Sequence, residues 1–134
     1  PEPARGLKSL FKKVGPDSPG RTGYTPEALT RDEEQRAAWS ADEHAHDVIT
    51  LRAGEQAAEV ARTYAARVGS LGLPVLVVHG TADALADPEP TRALGEPVEV
   101  RLVEGGAHDL LHDKGGAELA GELRDWIGRA VRPS

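Results

Sequence analysis

The chain contains no cysteine and no methionine among its 134 residues. Without cysteine there can be no disulfide, no zinc–thiolate site and no thiol nucleophile. Aromatic residues make up only 4% of the sequence, so a core must rest on Leu, Val and Ala. No apolar run approaches the roughly 20 residues of a transmembrane helix. Positive charge is in deficit as well: 16 Lys and Arg stand against 22 Asp and Glu, a formal net charge of −6. That balance disfavours a nucleic-acid partner, which would need a basic patch to displace counterions from phosphate. It equally disfavours an anionic membrane surface as an electrostatic target. The opening PEPARGLKSLFKK lacks the apolar stretch of a signal peptide, which leaves the cytoplasm as the default expectation for location. With no initiating methionine, truncation is an expectation from the first residue.

What remains is the composition of a folded protein. Apolar residues are 39% and charged residues 28%, close to a globular average, so disorder along the whole length is excluded. The length suits one domain or a piece of a larger one. No internal repeat or low-complexity tract is present.

The first half reads as helix and loop, without a strand signal. Leu7, Leu10, Phe11 and Val14 fall at helical spacing over residues 5 to 14, and GPDSPGRTGYTP follows as loop. Thr30 with Glu33 fits a capping box opening a helix through Trp39, and SADEHAHD is a polar joint. Thr50 can cap a longer helix to Val68, with Val60, Tyr64 and Val68 on one face and Gly69 as its stop. After Pro74 the character changes. PVLVVHG is a continuous β-branched run of the sort found in a parallel strand buried on both faces. Asp87-Pro88 suits the start of a short helix. Val98, Val100 and Leu102 alternate with polar residues as a half-buried strand does. Leu119, Leu123, Trp126, Ile127 and Val131 mark the inner face of a closing helix. Strand, helix, strand, helix in that order is a βαβα unit with a parallel pair.

Two residues in the second half can carry chemistry. Asp83 sits in the loop after the first strand and His108 in the loop after the second. In a parallel sheet both loops emerge at the carboxyl ends, where open α/β folds bind ligands. An Asp and a His on adjacent strand ends can share a hydrogen bond, the carboxylate fixing the imidazole tautomer and stabilising the imidazolium. The bland alternative is a turn-capping Asp83 and an ordinary loop histidine. Asp87 and Asp109 are rival acids, although Asp87 before Pro88 is better suited to an N-cap.

The wording around this pair carries a resemblance. LPVLVVHGTADALADP resembles the acid strand and loop of the α/β-hydrolase superfamily, whose HG-x-x-D pattern is matched by His79, Gly80 and Asp83. VEVRLVEGGAHDLLHD resembles that superfamily's last strand and histidine loop, matched at Gly106 and His108. LTRDEEQRAAWSADEHAHDVITLRAGEQAAEVA is similar to the helical cap of the monoacylglycerol lipase and lysophospholipase branch. The resemblance implies an α/β fold made of a cap segment, residues 1–70, and a C-terminal βαβα part of the hydrolase core, residues 71–134. It also implies a serine ester hydrolase acting on lipid-like or small acyl esters, with Asp83 as triad acid, His108 as base, and no cofactor or metal. Leu29, Trp39, Val48, Ile49 and Leu51 would then shape an acyl pocket or simply pack the cap. Peptidases, epoxide hydrolases and haloperoxidases share the fold, so the reaction class is decided by the site and not by the fold.

The family's nucleophile is what the sequence does not supply. It lies on a G-x-S-x-G elbow ahead of the cap, and none of Ser9, Ser18, Ser40, Ser70 and Ser134 stands in that pattern. Gly69-Ser70-Leu71-Gly72 has the wrong spacing and reads as a helix stop. The oxyanion-hole segment is missing too, since His79-Gly80 belongs to the acid strand. The expectation is therefore a hydrolase C-terminal part that needs an N-terminal half as partner, is inactive by itself, and self-associates through an exposed strand edge. A non-catalytic module derived from a hydrolase is the alternative. His79 is expected to bond at the strand end, and His112 and Asp113 to open the last helix. A rival metal site from His44, His46 and Asp47 with His108, His112 and Asp113 is weaker, because no strand places the first set.

Overall fold

A computed structural model describes residues 15–131; the helix expected over residues 5 to 14 lies outside them. The first half holds two short strands that the sequence did not signal. β1 (Pro19–Arg21) pairs antiparallel with β2 (Val48–Thr50), Gly20 lying opposite Ile49. Three residues are too few to show alternation, and the pair is made by contacts distant in sequence. Arg21 reaches both carboxylate oxygens of Asp47 at 2.7 and 2.8 Å. Gly20 lets the next helix approach: a Cβ there would stand 3.3 Å from Leu51 Cδ2.

Between these strands lie two helices. α1 (Pro26–Leu29) is capped by Thr25, with proline at its start, where the missing N–H costs nothing. α2 (Glu33–Ala41) is capped by Asp32, whose carboxylate accepts from the Gln35 amide at 3.0 Å. The capping box expected at Thr30 and Glu33 is thus displaced. The Thr30 hydroxyl is taken by a distant partner, donating to the His112 carbonyl at 2.7 Å. α3 (Leu51–Val68) opens at Thr50 and stops at Gly69 as expected, the Thr50 hydroxyl accepting from the Ala53 amide. Its expected inner face is poorly covered: no residue of the helix is buried, and Val60 is 57% exposed.

The second half follows the expected order. β3 (Val75–Gly80) runs to α4 (Glu89–Arg92), then β4 (Val98–Val103), a 3-10 turn (Leu110–His112) and α5 (Gly116–Ala130). Asp87 accepts from the Glu89 amide at 3.0 Å, a cap one residue ahead of Pro88. β3 and β4 are parallel, with Val75 opposite Val98 and Gly80 opposite Val103. The expectation that β3 is buried on both faces is corrected: Val75 to His79 are only half-buried. Among the described residues β3 has one neighbouring strand, so its other edge has no ladder partner among them. The inner face of α5 is likewise shorter than its sequence implied. Leu119 joins Val98 and Ala107 as the buried apolar core among described residues, whereas Ile127 and Val131 are 54% and 71% exposed. Ala107 belongs to the histidine loop itself, so that loop is seated in the core.

Candidate active site

Asp83 follows β3 and His108 follows β4, and the parallel register carries both to the same sheet edge. There the Asp83 Oδ2 accepts from His108 Nδ1 at 2.9 Å. Asp87 and Asp109, the rival acids, are turned to other work: Asp87 caps α4, and Asp109 bonds His112 Nδ1 at 2.9 Å. The other Asp83 oxygen accepts from the amides of Leu85 and Ala86 at 2.8 and 3.0 Å. Burial pushes the Asp83 carboxyl up, but the hydrogen bonds from His108, Ala86 and Leu85 outweigh it and hold the group below its ordinary range. An ionised carboxylate can only accept. His108 must therefore carry its proton on Nδ1 and present Nε2 as a base. The Asp83 side chain is 3% exposed and that of His108 35%, so the carboxylate is sealed while the imidazole remains reachable. Val78, His79, Gly80, Ala86 and Leu110 line the cleft of about 180 Å³ around them.

Two glycines explain how the loops come so close. A Cβ on Gly80 would run into the carbonyl oxygens of Gly106 and Ala107, and one on Gly106 would stand 2.6 Å from Leu110 Cδ2. At Gly80 the obstacle is backbone, so only glycine permits that approach. The loops are then stitched by Ala82 N–H to the Gly106 carbonyl at 3.0 Å and Gly105 N–H to the Thr81 hydroxyl at 2.8 Å.

Asp113 was expected to help open the last helix, but it does something else. The helix begins at Gly116, and the Asp113 carboxylate is buried beneath the histidine loop. It accepts from the Ala107 amide at 2.9 Å and the Arg31 amide at 2.8 Å, and pairs with the Arg31 guanidinium at 2.8 Å. Burial pushes its carboxyl up, yet Arg31 and the amides of Ala107, Arg31 and Lys114 hold it far below the usual carboxylate range. The residue preceding His108 is thus pinned to the segment between α1 and α2. Asp109 N–H donating to the Leu29 carbonyl at 2.8 Å adds a second pin. Sequence reasoning missed this clamp because its two halves lie 82 residues apart.

The remaining candidates separate. His79 bonds at the strand end, to Thr91 and Asp83. Ser70 donates to the Arg67 carbonyl at 2.8 Å, as a helix stop. Asp47 is spent on Arg21 and Asp113 on Arg31, and among the described residues no group of three or more His, Asp or Glu side chains is arranged to hold a metal ion. Leu29 and Trp39 line a cleft of about 240 Å³ with Pro26, Ala38, Asp109 and His112. Leu51 instead packs on Gly20, and Ile49 lies 3.6 Å from the Cβ position of Gly54.

Known proteins agree with this architecture. The family described as serine aminopeptidase, S33, matches residues 1–115. The monoacylglycerol lipase of Paleococcus ferrophilus superposes with a TM-score of 0.80 at 21% identity, over 94% of this chain and 52% of that one. A soluble variant of the Saccharomyces cerevisiae monoglyceride lipase, in complex with a substrate analogue, gives 0.76 at 18% identity, over 98% and 48% respectively. The chain spans about half the length of these solved structures. No curated protein matches it. Its parallel sheet, its acid and histidine loops and its match to the family together place the chain in the serine aminopeptidase S33 family of α/β-hydrolases.

Proposed function

We propose that this chain is the C-terminal part of a serine ester hydrolase acting on lipid-like or small acyl esters, with Asp83 and His108 as acid and base of its triad. The observation that carries the reading is the 2.9 Å bond from His108 Nδ1 to a sealed, ionised Asp83 at the ends of two parallel strands. In this reading a serine from a preceding segment attacks the ester carbonyl. His108 Nε2 takes the hydroxyl proton and returns it to the leaving alcohol, while Asp83 stabilises the imidazolium. The relatives' names as monoacylglycerol lipases support an ester substrate. The apolar wall of Leu29, Ala38 and Trp39, bonded to the histidine loop through Leu29, supports a place for an acyl chain. Residues 1–70 are then the cap and residues 71–134 the core part. The sequence upstream of Pro1 tests this directly: an in-frame G-x-S-x-G elbow is expected, whereas a start codon just before Pro1 would favour a non-catalytic module.

Two outcomes are expected of the isolated chain. It should not turn over p-nitrophenyl butyrate above background, because an acid–base pair with no nucleophile or oxyanion hole has nothing to activate. Saturable turnover lost in His108→Ala and blocked by a serine-directed phosphonate would overturn the need for a second half. The chain should also self-associate. Val75, Leu76, Val77 and Val78 are half-buried beside an edge with no ladder partner among the described residues, the kind of edge that templates pairing. Each large apolar side chain left exposed forgoes roughly 1.5–3 kcal/mol, and a few such losses rival the ~5–15 kcal/mol that holds a domain together. Light scattering behind size-exclusion chromatography should find dimers or larger species. A monodisperse monomer with a sharp thermal transition would show the fold to be self-sufficient.

A further inference from the structure

The Asp83 Oδ2 that faces His108 has a second donor. His79 Nε2 stands 3.1 Å from it, and 3.3 Å from the Ala86 carbonyl. Both of these partners only accept, so Nε2 must carry the proton. In the neutral ring His79 Nδ1 is then the acceptor and receives the Thr91 hydroxyl proton at 2.8 Å. Thr91, 2% exposed, in turn has its oxygen 2.9 Å from the Tyr64 hydroxyl on α3, which donates to it. Proton directions along the whole chain are thereby fixed: Tyr64 to Thr91, Thr91 to His79, His79 to Asp83, with His108 donating to the same carboxylate oxygen. With one oxygen held by two amides and the other by His79, the carboxylate cannot rotate away from His108 without breaking bonds in a site where its side chain is 3% exposed.

We propose that His79 is a positioning residue for the acid–base pair: it locks the Asp83 carboxylate onto His108 Nδ1, and Thr91 with Tyr64 set the tautomer that lets it do so. The inference rests on reading Asp83 and His108 as acid and base, and it gives a half-buried histidine outside the triad a defined role. The charged or titratable groups around the His79 ring are Asp83, His108 beyond it, and Tyr64 through Thr91. The lock predicts an asymmetry between substitutions. A glutamine at 79 can place its amide N–H₂ near the position of Nε2 and keep the donation; a phenylalanine fills the space and removes it. Thr91→Val keeps the shape of Thr91 but deprives Nδ1 of its donor, freeing His79 to take the other tautomer.

The test is ¹⁵N-histidine NMR of the chain at neutral pH, which reads each ring's tautomer from two-bond nitrogen–carbon-bound-proton couplings. Wild type should show His108 protonated at Nδ1 and His79 at Nε2. His79→Phe should abolish the dominance of the His108 Nδ1–H form, His79→Gln should retain it, and Thr91→Val should lose the pure Nε2–H signature of His79 and weaken that of His108. A purely structural role would alter stability and leave the His108 tautomer as it is. Should His79→Phe fail to fold, the near-isosteric Thr91→Val carries the decision. A wild-type His108 protonated at Nε2 would overturn the acid–base pairing itself. A wild-type Nδ1–H form that persists in His79→Phe, or in Thr91→Val when only that variant folds, would overturn the role of His79 alone.

Discussion

In the complete hydrolase proposed above, Asp83→Asn is expected to lower kcat by about 10⁴-fold, with KM little changed. The size of the effect follows from what surrounds the side chain. The Asp83 Oδ1 accepts from the Leu85 and Ala86 amides, so the asparagine carbonyl oxygen must occupy that place. Its N–H₂ group is then forced into the Oδ2 position, pointing one hydrogen at His108 Nδ1 and the other towards His79 Nε2. Both imidazoles must become acceptors on those atoms and carry their protons on the opposite nitrogens. His108 is left with a proton on Nε2, where a general base needs a lone pair. Geometry is preserved and function lost through the tautomer. Kinetics with a short-chain p-nitrophenyl ester across the neutral pH range check this, and a loss smaller than tenfold would remove Asp83 from the triad.

Asp113→Ala should cost the fold about 3 kcal/mol, the lower end of the range for breaking a buried ion pair. The lower end applies because the Arg31 side chain is 38% exposed and can recover water, whereas the Asp113 side chain is 1% exposed. Most of the penalty falls on the Ala107 and Arg31 amides, which lose their acceptor. The pH dependence has a definite sign. The folded Asp113 titrates far below its unfolded value, so its contribution is complete above the unfolded pKa of about 3.9. It shrinks as pH falls below that value and is gone once the folded group also protonates. Urea unfolding of wild type and variant at neutral pH and at increasing acidity should show the gap narrowing with acid. A gap below about 1 kcal/mol at neutral pH, or one that widens with acid, would mean the clamp is not what holds the histidine loop.

The sequence by itself determined the elements whose causes are local. The β-branched run after Pro74 is a strand wherever it is placed, alternation from Val98 to Leu102 makes another, and Thr50 caps the long helix through the amide three residues on. The order of these elements requires a parallel pair, and a parallel pair brings Asp83 and His108 to one edge. That is why the meeting of Asp83 with His108 was legible in the sequence. The tertiary structure decided whatever depends on a partner far along the chain. Thr30 gives up its cap to reach His112, Asp113 leaves the helix start to bind Arg31, and the β1–β2 pair forms across a gap that no local pattern bridges. Burial belongs to the same class: Ile127 and Val131 have the spacing of an inner face, but spacing states which residues share a face and not whether anything covers it. Proton placement was the least legible of all, because the tautomers of His79 and His108 are set by which acceptors and donors the fold brings within about 3 Å.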